Sequence, residues 1–201
     1  MKRLLACAAV AVSALLSTVS QAAIIPVLSP ALMTTTYLND FETVLNSGPV
    51  TFNPGANRLT KANAGNPGTS SGTWGMASPA GQPITATLSS TFNAVGLVFG
   101  NDDLCCAPGF SAVLSVYSGV NFLGSVQVAA NMNDAPDQFI GLYSTTAFDR
   151  VVFDYTAPGL TRYIDDFRLG TSVGGEVPEP ATAALLGLGL LGFAASRRRK
   201  S

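Results

Sequence analysis

Carboxylates and side-chain amides are the groups in this chain that could do chemistry, because the sequence contains no histidine. That absence excludes the Ser-His-Asp triad, Cys-His catalysis and every His-ligated zinc or copper site. The cysteines are too few for a four-thiolate zinc site. What remains for catalysis is a pair of carboxylates, as in glycoside hydrolysis. Asp102-Asp103 and Asp165-Asp166 are sequence neighbours, whose side chains diverge on a regular strand, although carboxylates on different elements could still meet.

The same side chains suit a hard cation. Calcium binds about six to eight oxygens from carboxylates, amides and carbonyls. The chain offers such oxygens near the mouths of its loops, at Asp40, Glu42, Asn101, Asp102, Asp103, Asp165 and Asp166. Asp and Asn are also the residues that turns favour. Solvated turn residues are therefore the alternative interpretation of the same pattern.

Two adjacent cysteines, Cys105 and Cys106, form the one possible disulfide of the exported part of the chain. Adjacent Cα atoms lie about 3.8 Å apart across a trans peptide, whereas ordinary disulfides need about 4.4–6.8 Å. A bond between these two residues would be strained. A vicinal disulfide, two free thiols and bridges to another chain all stay open.

The only tryptophan, Trp74, follows a Gly/Asn/Ser/Thr-rich stretch at residues 53–72, which we predict to be a long loop. An aromatic ring beside such a loop is a candidate platform for stacking a sugar. A single tryptophan in a β-sandwich more often belongs to the core, and we prefer that interpretation.

The N-terminus has the pattern of a secretory signal peptide. Lys2 and Arg3 precede an apolar run at residues 4–16, and Ser20 and Ala22 are the small residues of a cleavage site. We expect signal peptidase to remove residues 1–22. Cys7 leaves with them.

The exported domain predicted at residues 23–176 is acidic. It has about 150 residues, enough for one domain with a core. It contains five basic residues (Arg58, Lys61, Arg150, Arg162, Arg168) and eleven acidic ones, a net charge of −6. An acidic surface argues against nucleic acid and anionic lipid as partners.

Apolar alternation with a period of two predicts about nine short strands and no helix outside the terminal signals. Residues 24–36 show no clear period. Strands spaced by roughly 8–12 residues are typical of an all-β fold, here an antiparallel β-sandwich. The predicted strands are residues 37–44, 50–52, 84–89, 95–99, 111–117, 122–130, 139–144, 151–155 and 163–169.

Residues 177–201 combine three features. Pro178-Glu179-Pro180 precedes an apolar, helix-forming run at residues 181–196, and a basic cluster ends the chain at Arg197, Arg198, Arg199 and Lys200. A helix of that length is about 24 Å long, short of a hydrocarbon core of about 30 Å. Terminal cations keep a membrane segment's end on the cytoplasmic side. An ordinary C-terminal membrane anchor is one interpretation.

The closer match is to a sorting signal. The order Pro-Glu-Pro, short Gly-rich helix and Arg/Lys cluster resembles the PEP-CTERM signal of Gram-negative bacteria. The resemblance implies recognition and cleavage by a membrane enzyme, an exosortase. The protein would then cross the inner membrane, be anchored there transiently, and reach the cell envelope, surface or extracellular matrix.

The middle of the chain, from residue 84 to 170, resembles the β-sandwich ectodomains that precede such tails. Asp40-Phe41-Glu42 and Ile164-Asp165-Asp166-Phe167 are also similar to segments of jelly-roll carbohydrate-binding modules. In those modules an early Glu and a late Asp help to hold a structural calcium, so the resemblance implies Glu42, Asp165 and Asp166 as its ligands.

The expected function is therefore that of a non-catalytic, exported, exosortase-processed protein of the surface or extracellular polysaccharide matrix. A carbohydrate-binding module for exopolysaccharide is the alternative, and a carboxylate-based glycoside hydrolase is a third. No nucleic acid is expected as a partner.

Overall fold

A computed structural model describes residues 22–53, 55–60, 69–79, 81–100, 109–133 and 135–173. The signal peptide up to residue 21, the Cys105-Cys106 pair, residues 101–103 and the sorting segment 177–201 lie outside the described residues. The described part contains ten strands and one 3-10 turn, at Pro30–Leu32. The strands are β1 (Ile24–Val27), β2 (Met33–Asn39), β3 (Val50–Phe52), β4 (Asn57–Thr60), β5 (Trp74–Ala77), β6 (Ile84–Gly100), β7 (Ser111–Ser118), β8 (Asn121–Ala129), β9 (Gln138–Tyr155) and β10 (Tyr163–Val173).

The long strands β6 and β9 form an antiparallel ribbon that folds back on itself. Ile84 pairs with Phe153 at one end of the ribbon, and Phe99 pairs with Gln138 at the other. In a straight ribbon, the 15-residue separation between Ile84 and Phe99 would span about 50 Å. The Phe99 and Phe153 ring centroids are only 6.0 Å apart. The ribbon therefore bends, where its register shifts on both sides of Phe92, and places its halves in two facing layers.

Each half of the ribbon carries its own neighbours. The first layer has the order β3-β6-β9-β7-β8 and uses the N-terminal half of β6. The second layer has the order β1-β9-β6-β10, with β2 and β5 along the other edge of β10 and β4 outside β5. All these pairings are antiparallel. The predicted all-β, antiparallel fold is confirmed.

The core lies between the two layers, where alternate side chains of each strand meet. Val151, Phe153 and Tyr155 of β9 are buried, and the intervening side chains are only half-buried. Phe52 of the first layer packs edge-on against Phe167 of the second, with ring centroids 5.4 Å apart. The alternation that predicts a strand at residues 151–155 therefore places every second side chain in the core.

Several predicted strand boundaries were wrong, for one physical reason. Residues 84–89 and 95–99 belong to the single strand β6, and residues 139–144 and 151–155 to the single strand β9. Around the bend the β6 side chains Ser89, Ser90 and Thr91 are exposed. Polar side chains on consecutive positions break the apolar alternation, although the backbone continues to pair.

The N-terminal strands were also misplaced. Residues 24–36, which show no clear period and in which no strand is predicted, contain β1 and the start of β2, and Pro26 is tolerated because β1 has only one paired neighbour. The strand predicted at residues 37–44 ends at Asn39. The side chain of Asn39 bonds the bend that follows: Oδ1 accepts a hydrogen bond from Phe41 N at 2.9 Å, and Nδ2 donates to Leu45 O at 2.9 Å.

The loop predicted at residues 53–72 is interrupted by β4 at Asn57–Thr60, which pairs with β5.

No described helix is long and apolar enough to cross a membrane.

Candidate functional site

A β-bulge in β10 gathers the two adjacent aspartates of the sequence. The register of β10 against β6 shifts between Asp165 and Arg168, and Asp166 has a left-handed φ of 50°. In a regular strand the two side chains would diverge. At the bulge both reach the same hydroxyl, with Ser70 Oγ lying 2.9 Å from Asp165 Oδ2 and 3.0 Å from Asp166 Oδ2. The expected divergence of this pair is therefore wrong.

A short loop, residues 69–73, wraps around these carboxylates. Ser70 N and Ser71 N donate to Asp165 Oδ2 at 2.9 and 3.0 Å, and Ser71 Oγ donates to Asp166 Oδ1 at 3.1 Å. Asp165 Oδ1 accepts from Asp166 N at 2.7 Å. The buried Asp165 is thus surrounded by hydrogen-bond donors, as a buried charge requires.

Glu42 accepts hydrogen bonds from the other end of the same loop. Its Oε1 accepts hydrogen bonds from Thr73 N at 2.8 Å and Trp74 N at 2.7 Å. Glu42 lies in the bend after β2, and β2 pairs with β10 through Asn39 and Phe167. Gly72 is required here, since its φ is 50° and a Cβ would overlap the Glu42 carboxylate. The pairing of β2 with β10 thus brings Glu42 and the two aspartates to the same loop.

We call Glu42, Asp165 and Asp166 the carboxylate cluster. All three hold residues 69–74, but Glu42 and the aspartates bind different donors along that segment. Within the described ranges, no group of three or more His, Cys, Asp or Glu side chains is placed to hold a metal ion. Both carboxylate oxygens of each aspartate, and Oε1 of Glu42, already accept hydrogen bonds from N–H or O–H groups. In this arrangement the three carboxylates do not converge on one position for a calcium ion. Calcium binding stays a prediction, and Asp102 and Asp103 lie outside the described residues.

Arg58 donates hydrogen bonds to the bend that carries Glu42. Its Nε donates to Phe41 O at 2.5 Å, its Nη2 donates to Glu42 O, and its guanidinium lies 4.5 Å from the centroid of the Trp74 ring. Trp74 is half-buried. One face of its indole is covered by the guanidinium, which leaves less of the ring for stacking a sugar.

Burial dominates the electrostatics of the cluster. It raises the pKa of Asp165 to about 6, against the lowering effect of the hydrogen bonds from Ser71, Ser70 and Asp166, and the negative charge of Asp166 adds a smaller increase. The pKa of Tyr163 is raised well above its usual value by burial first, and then by the charges of Asp165 and Glu42. Tyr163 Oη is buried and has no hydrogen-bond partner among the residues that the structure describes.

A separate concave surface lies at the opposite edge of the second layer, between β1 and β8. It is a groove of about 420 Å³ without a charged side chain among its lining residues. β1 and β8 approach closely at Gly124, where a Cβ would overlap the Ile24 side chain. The groove is lined by Ile24, Pro26, Val27, Leu28, Ser125, Val126, Gln127, Val128, Phe139 and Gly141.

Sequence reasoning did not find the donors that hold the cluster. Ser70 and Ser71 lie about a hundred residues from Asp165 in sequence, and much of their contribution is made by backbone N–H groups. Every residue except proline has such a group. No sequence signal identifies the donors.

Comparison with known families identifies the C-terminal segment. Residues 176–199 match the PEP-CTERM protein-sorting motif. The chain carries a PEP-CTERM tail. The match includes Pro178-Glu179-Pro180 and three arginines of the basic cluster, Arg197, Arg198 and Arg199. The sequence-based prediction of this signal is confirmed. The PEP-CTERM motif indicates an exported protein that is sorted by an exosortase through a membrane-anchoring tail.

Solved structures similar to the chain include carbohydrate-binding modules. The C-terminal family 22 module of Clostridium thermocellum Xyn10B is 18% identical, with 72% of this chain and 96% of that chain covered and a TM-score of 0.41. A DUF4465 family protein from Bacteroides caccae is 13% identical, with 76% and 88% covered and a TM-score of 0.40. TmCBM61, solved with β-1,4-galactotriose, is 16% identical, with 61% and 87% covered and a TM-score of 0.32. These scores are too low to transfer a ligand to this chain. Comparison with curated proteins gave no match.

Proposed function

We propose that this chain is an exported protein whose PEP-CTERM tail is removed by an exosortase, leaving a non-catalytic β-sandwich in the envelope or extracellular matrix of a Gram-negative cell. The observation that carries the proposal is the PEP-CTERM motif at residues 176–199. Signal peptidase and exosortase are then its processing partners, and the inner membrane is its temporary anchor.

Both ends of the sandwich support processing close to the fold. Ala23, the residue after the predicted signal-peptidase bond, is already part of the structure. Its N donates to Thr145 Oγ1 at 2.9 Å and its O accepts from Thr145 N at 3.1 Å. At the other end, β10 extends to Val173, four residues before Val177. Cleavage at both signals would leave little chain beyond the sandwich.

The carboxylate cluster supports the non-catalytic part of the proposal. A glycoside hydrolase needs two carboxyl groups that face the substrate, one to donate a proton and one to attack or to activate water. In the cluster, the fully buried Asp165 is enclosed by the loop at residues 69–73. Its hydrogen bonds hold that loop. Turnover of labelled polysaccharide by the purified protein would contradict the proposal.

Replacing Pro178-Glu179-Pro180 with three alanines tests the sorting step. The variant is expected to stay full-length in the inner membrane, whereas the parent loses its helix and basic tail. Pro158→Ala, at an exposed turn, is the control and should be processed like the parent. Subcellular fractionation with intact mass measurement reports the result, and normal processing of the triple variant would contradict the assignment.

A second candidate is a carbohydrate-binding module for exopolysaccharide. Its support is an aromatic pair, the half-buried Tyr117 and the exposed Phe122, beside Arg150 on the outer face of the first layer. Aromatic faces and guanidinium groups suit sugars, which have apolar C–H faces and polar edges. A glycan array with the purified protein tests this candidate. Failure to bind any glycan would leave the sorting proposal intact.

A further inference from the structure

A row of five side chains crosses the first layer on its outer face. Successive pairings join Thr51 to Thr87, Thr87 to Arg150, Arg150 to Tyr117 and Tyr117 to Phe122. At about 4.8 Å between strands, the row spans about 19 Å. The next residues along three of these strands, Leu88, Val116 and Val151, point into the core. We call Thr51, Thr87, Arg150, Tyr117 and Phe122 the outer row.

The edge of the outer row is aromatic. The Tyr117 and Phe122 rings lie 5.4 Å apart at an interplanar angle of 58°. Phe122 is 59% exposed, and Val120 in the adjoining turn is 89% exposed. Gly119 N donates to Asp149 Oδ1 at 2.8 Å, which ties the turn to β9. Exposed apolar side chains held by a fixed turn are suited to packing against a ligand.

Arg150 provides an unmatched cation in the middle of the row. Its guanidinium lies 4.2 Å from the centroid of the Tyr117 ring, and its buried Nε has no hydrogen-bond partner in the part of the chain that the structure describes. The two ion pairs found among the described residues join Arg162 to Asp154 and Arg168 to Asp166. Arg58 binds backbone carbonyls. Of these four arginines, Arg150 is therefore the one without a carboxylate or carbonyl partner within the described residues.

The adjacent row of the same face is mostly hydroxyl-bearing. Ser125 pairs with Ser115, Ser115 with Val152, and Val152 with Thr85. Two residues beyond Val152 along β9, Asp154 is neutralised by Arg162, with Nη2 and Oδ1 2.6 Å apart. The face thus carries the Arg150 guanidinium among hydroxyl groups, with the Asp149 carboxylate held at the turn by Gly119 N. The guanidinium complements an anionic group on a ligand that is otherwise rich in hydroxyls.

We infer that the outer row binds an acidic polysaccharide, with a sugar-acid carboxylate on Arg150 and a neighbouring sugar ring packed on Phe122. This inference rests on the carbohydrate-binding candidate and gives it a site and a ligand class. The hydroxyls of Thr87 in the outer row and of Ser115 in the adjacent row hydrogen-bond the hydroxyls of the sugar rings. Since the domain as a whole is acidic, long-range attraction does not draw the polymer in, so affinity comes from these contacts.

Affinity electrophoresis of the full-length chain in detergent tests the inference. The gels contain either polygalacturonate or the same polymer with its carboxylates methyl-esterified. The protein should be retarded by polygalacturonate and at least tenfold less by the ester. Arg150→Gln and Phe122→Ser should each weaken binding about tenfold, and Arg150→Lys, which keeps the charge, should weaken it less. Leu28→Ser, exposed in the other layer, is the matched control and should bind like the parent.

Each other outcome overturns the inference. Equal retardation by both polymers would remove the role of the carboxylate while leaving carbohydrate binding intact. Retardation by neither polymer would reject the ligand class. Arg150-dependent binding to phosphatidylglycerol vesicles but not to polygalacturonate would assign the face to a lipid surface. Thermal melting of each variant shows that it is folded, and Phe122→Ser keeps the test valid if Arg150→Gln does not fold.

Discussion

The carboxylate cluster and the outer row handle charge in opposite ways. In the cluster, the buried Asp165 has a donor at each oxygen, and Asp166 accepts two serine hydroxyls. In the outer row, the buried Nε of Arg150 has no acceptor among the described residues. Charges that are matched within the chain hold structure together, whereas a guanidinium without a carboxylate partner can pair with a carboxylate of a ligand. Stability should therefore depend on the cluster, and binding on the row.

The core that both regions share should give the largest loss of stability. Phe153 is 1% exposed and packs against Phe99 and Tyr155, with ring centroids 6.0 and 5.3 Å away. Phe153→Ala removes a ring from between the layers and should lower the free energy of unfolding by roughly 3–5 kcal/mol. Denaturant unfolding measures the change. A loss below about 1 kcal/mol would show that the two layers do not share this core.

A direct comparison of the two regions should give the next largest effect. Asp165→Ala leaves the N–H groups of Ser70, Ser71 and Asp166 without their acceptor, and should lower the free energy of unfolding by about 3 kcal/mol. Arg150→Gln removes no ion pair and should change it by about 0.5 kcal/mol or less. Equal losses in the two variants would erase the distinction drawn between the cluster and the row.

Calcium provides a different test of the cluster. If Glu42, Asp165 and Asp166 hold calcium, as the resemblance implies, millimolar calcium should raise the melting temperature by several degrees relative to chelator. Binding to the folded state alone stabilises it by about 2.7 kcal/mol at a hundredfold excess over Kd. Glu42→Gln or Asp166→Asn should shrink the difference. Melting that is unchanged by chelator, in protein shown beforehand to contain calcium, would leave the hydrogen bonds as the full role of these residues.

The pH dependence of stability should show the smallest effect. The pKa of Asp165 is about 6 in the folded protein against an ordinary value of 3.8. The folded state therefore binds the proton more tightly, so this residue's contribution to stability rises as the pH falls from 7 to 4.5 and is lost as the pH rises through 6. We expect about 1–2 kcal/mol, measured as the difference between the parent and Asp165→Asn. The same pH profile in both proteins would contradict this.

Sequence reasoning succeeded where the information is local. The burial of Val151, Phe153 and Tyr155 follows from their alternation, and β7 and β8 lie close to the strands predicted at residues 111–117 and 122–130. Tyr117 and Phe122 belong to those predicted strands, although their aromatic surface was not predicted. The bulge at Asp165-Asp166 was not predictable, because a left-handed aspartate has no distinct sequence pattern.

Continuity of the long strands could not be predicted for a related reason. Pairing in β6 depends on the backbone, and the exposed Ser89, Ser90 and Thr91 at the bend have the polarity of a loop. The PEP-CTERM tail, by contrast, was predictable from the sequence. Its proline, helix and arginine pattern is contiguous, and sequence alone identified it.

Intact mass of the protein recovered from an exosortase-bearing cell tests whether the tail is removed by an exosortase. We expect a species that has lost residues 1–22 and the helix and basic tail of the PEP-CTERM segment, while retaining the sandwich through Val173. The same spectrum reports whether Cys105 and Cys106 are oxidised, since a disulfide lowers the mass by two hydrogens. A mature protein that retains residues 177–201 in those cells would contradict exosortase processing and reduce the tail to a permanent anchor.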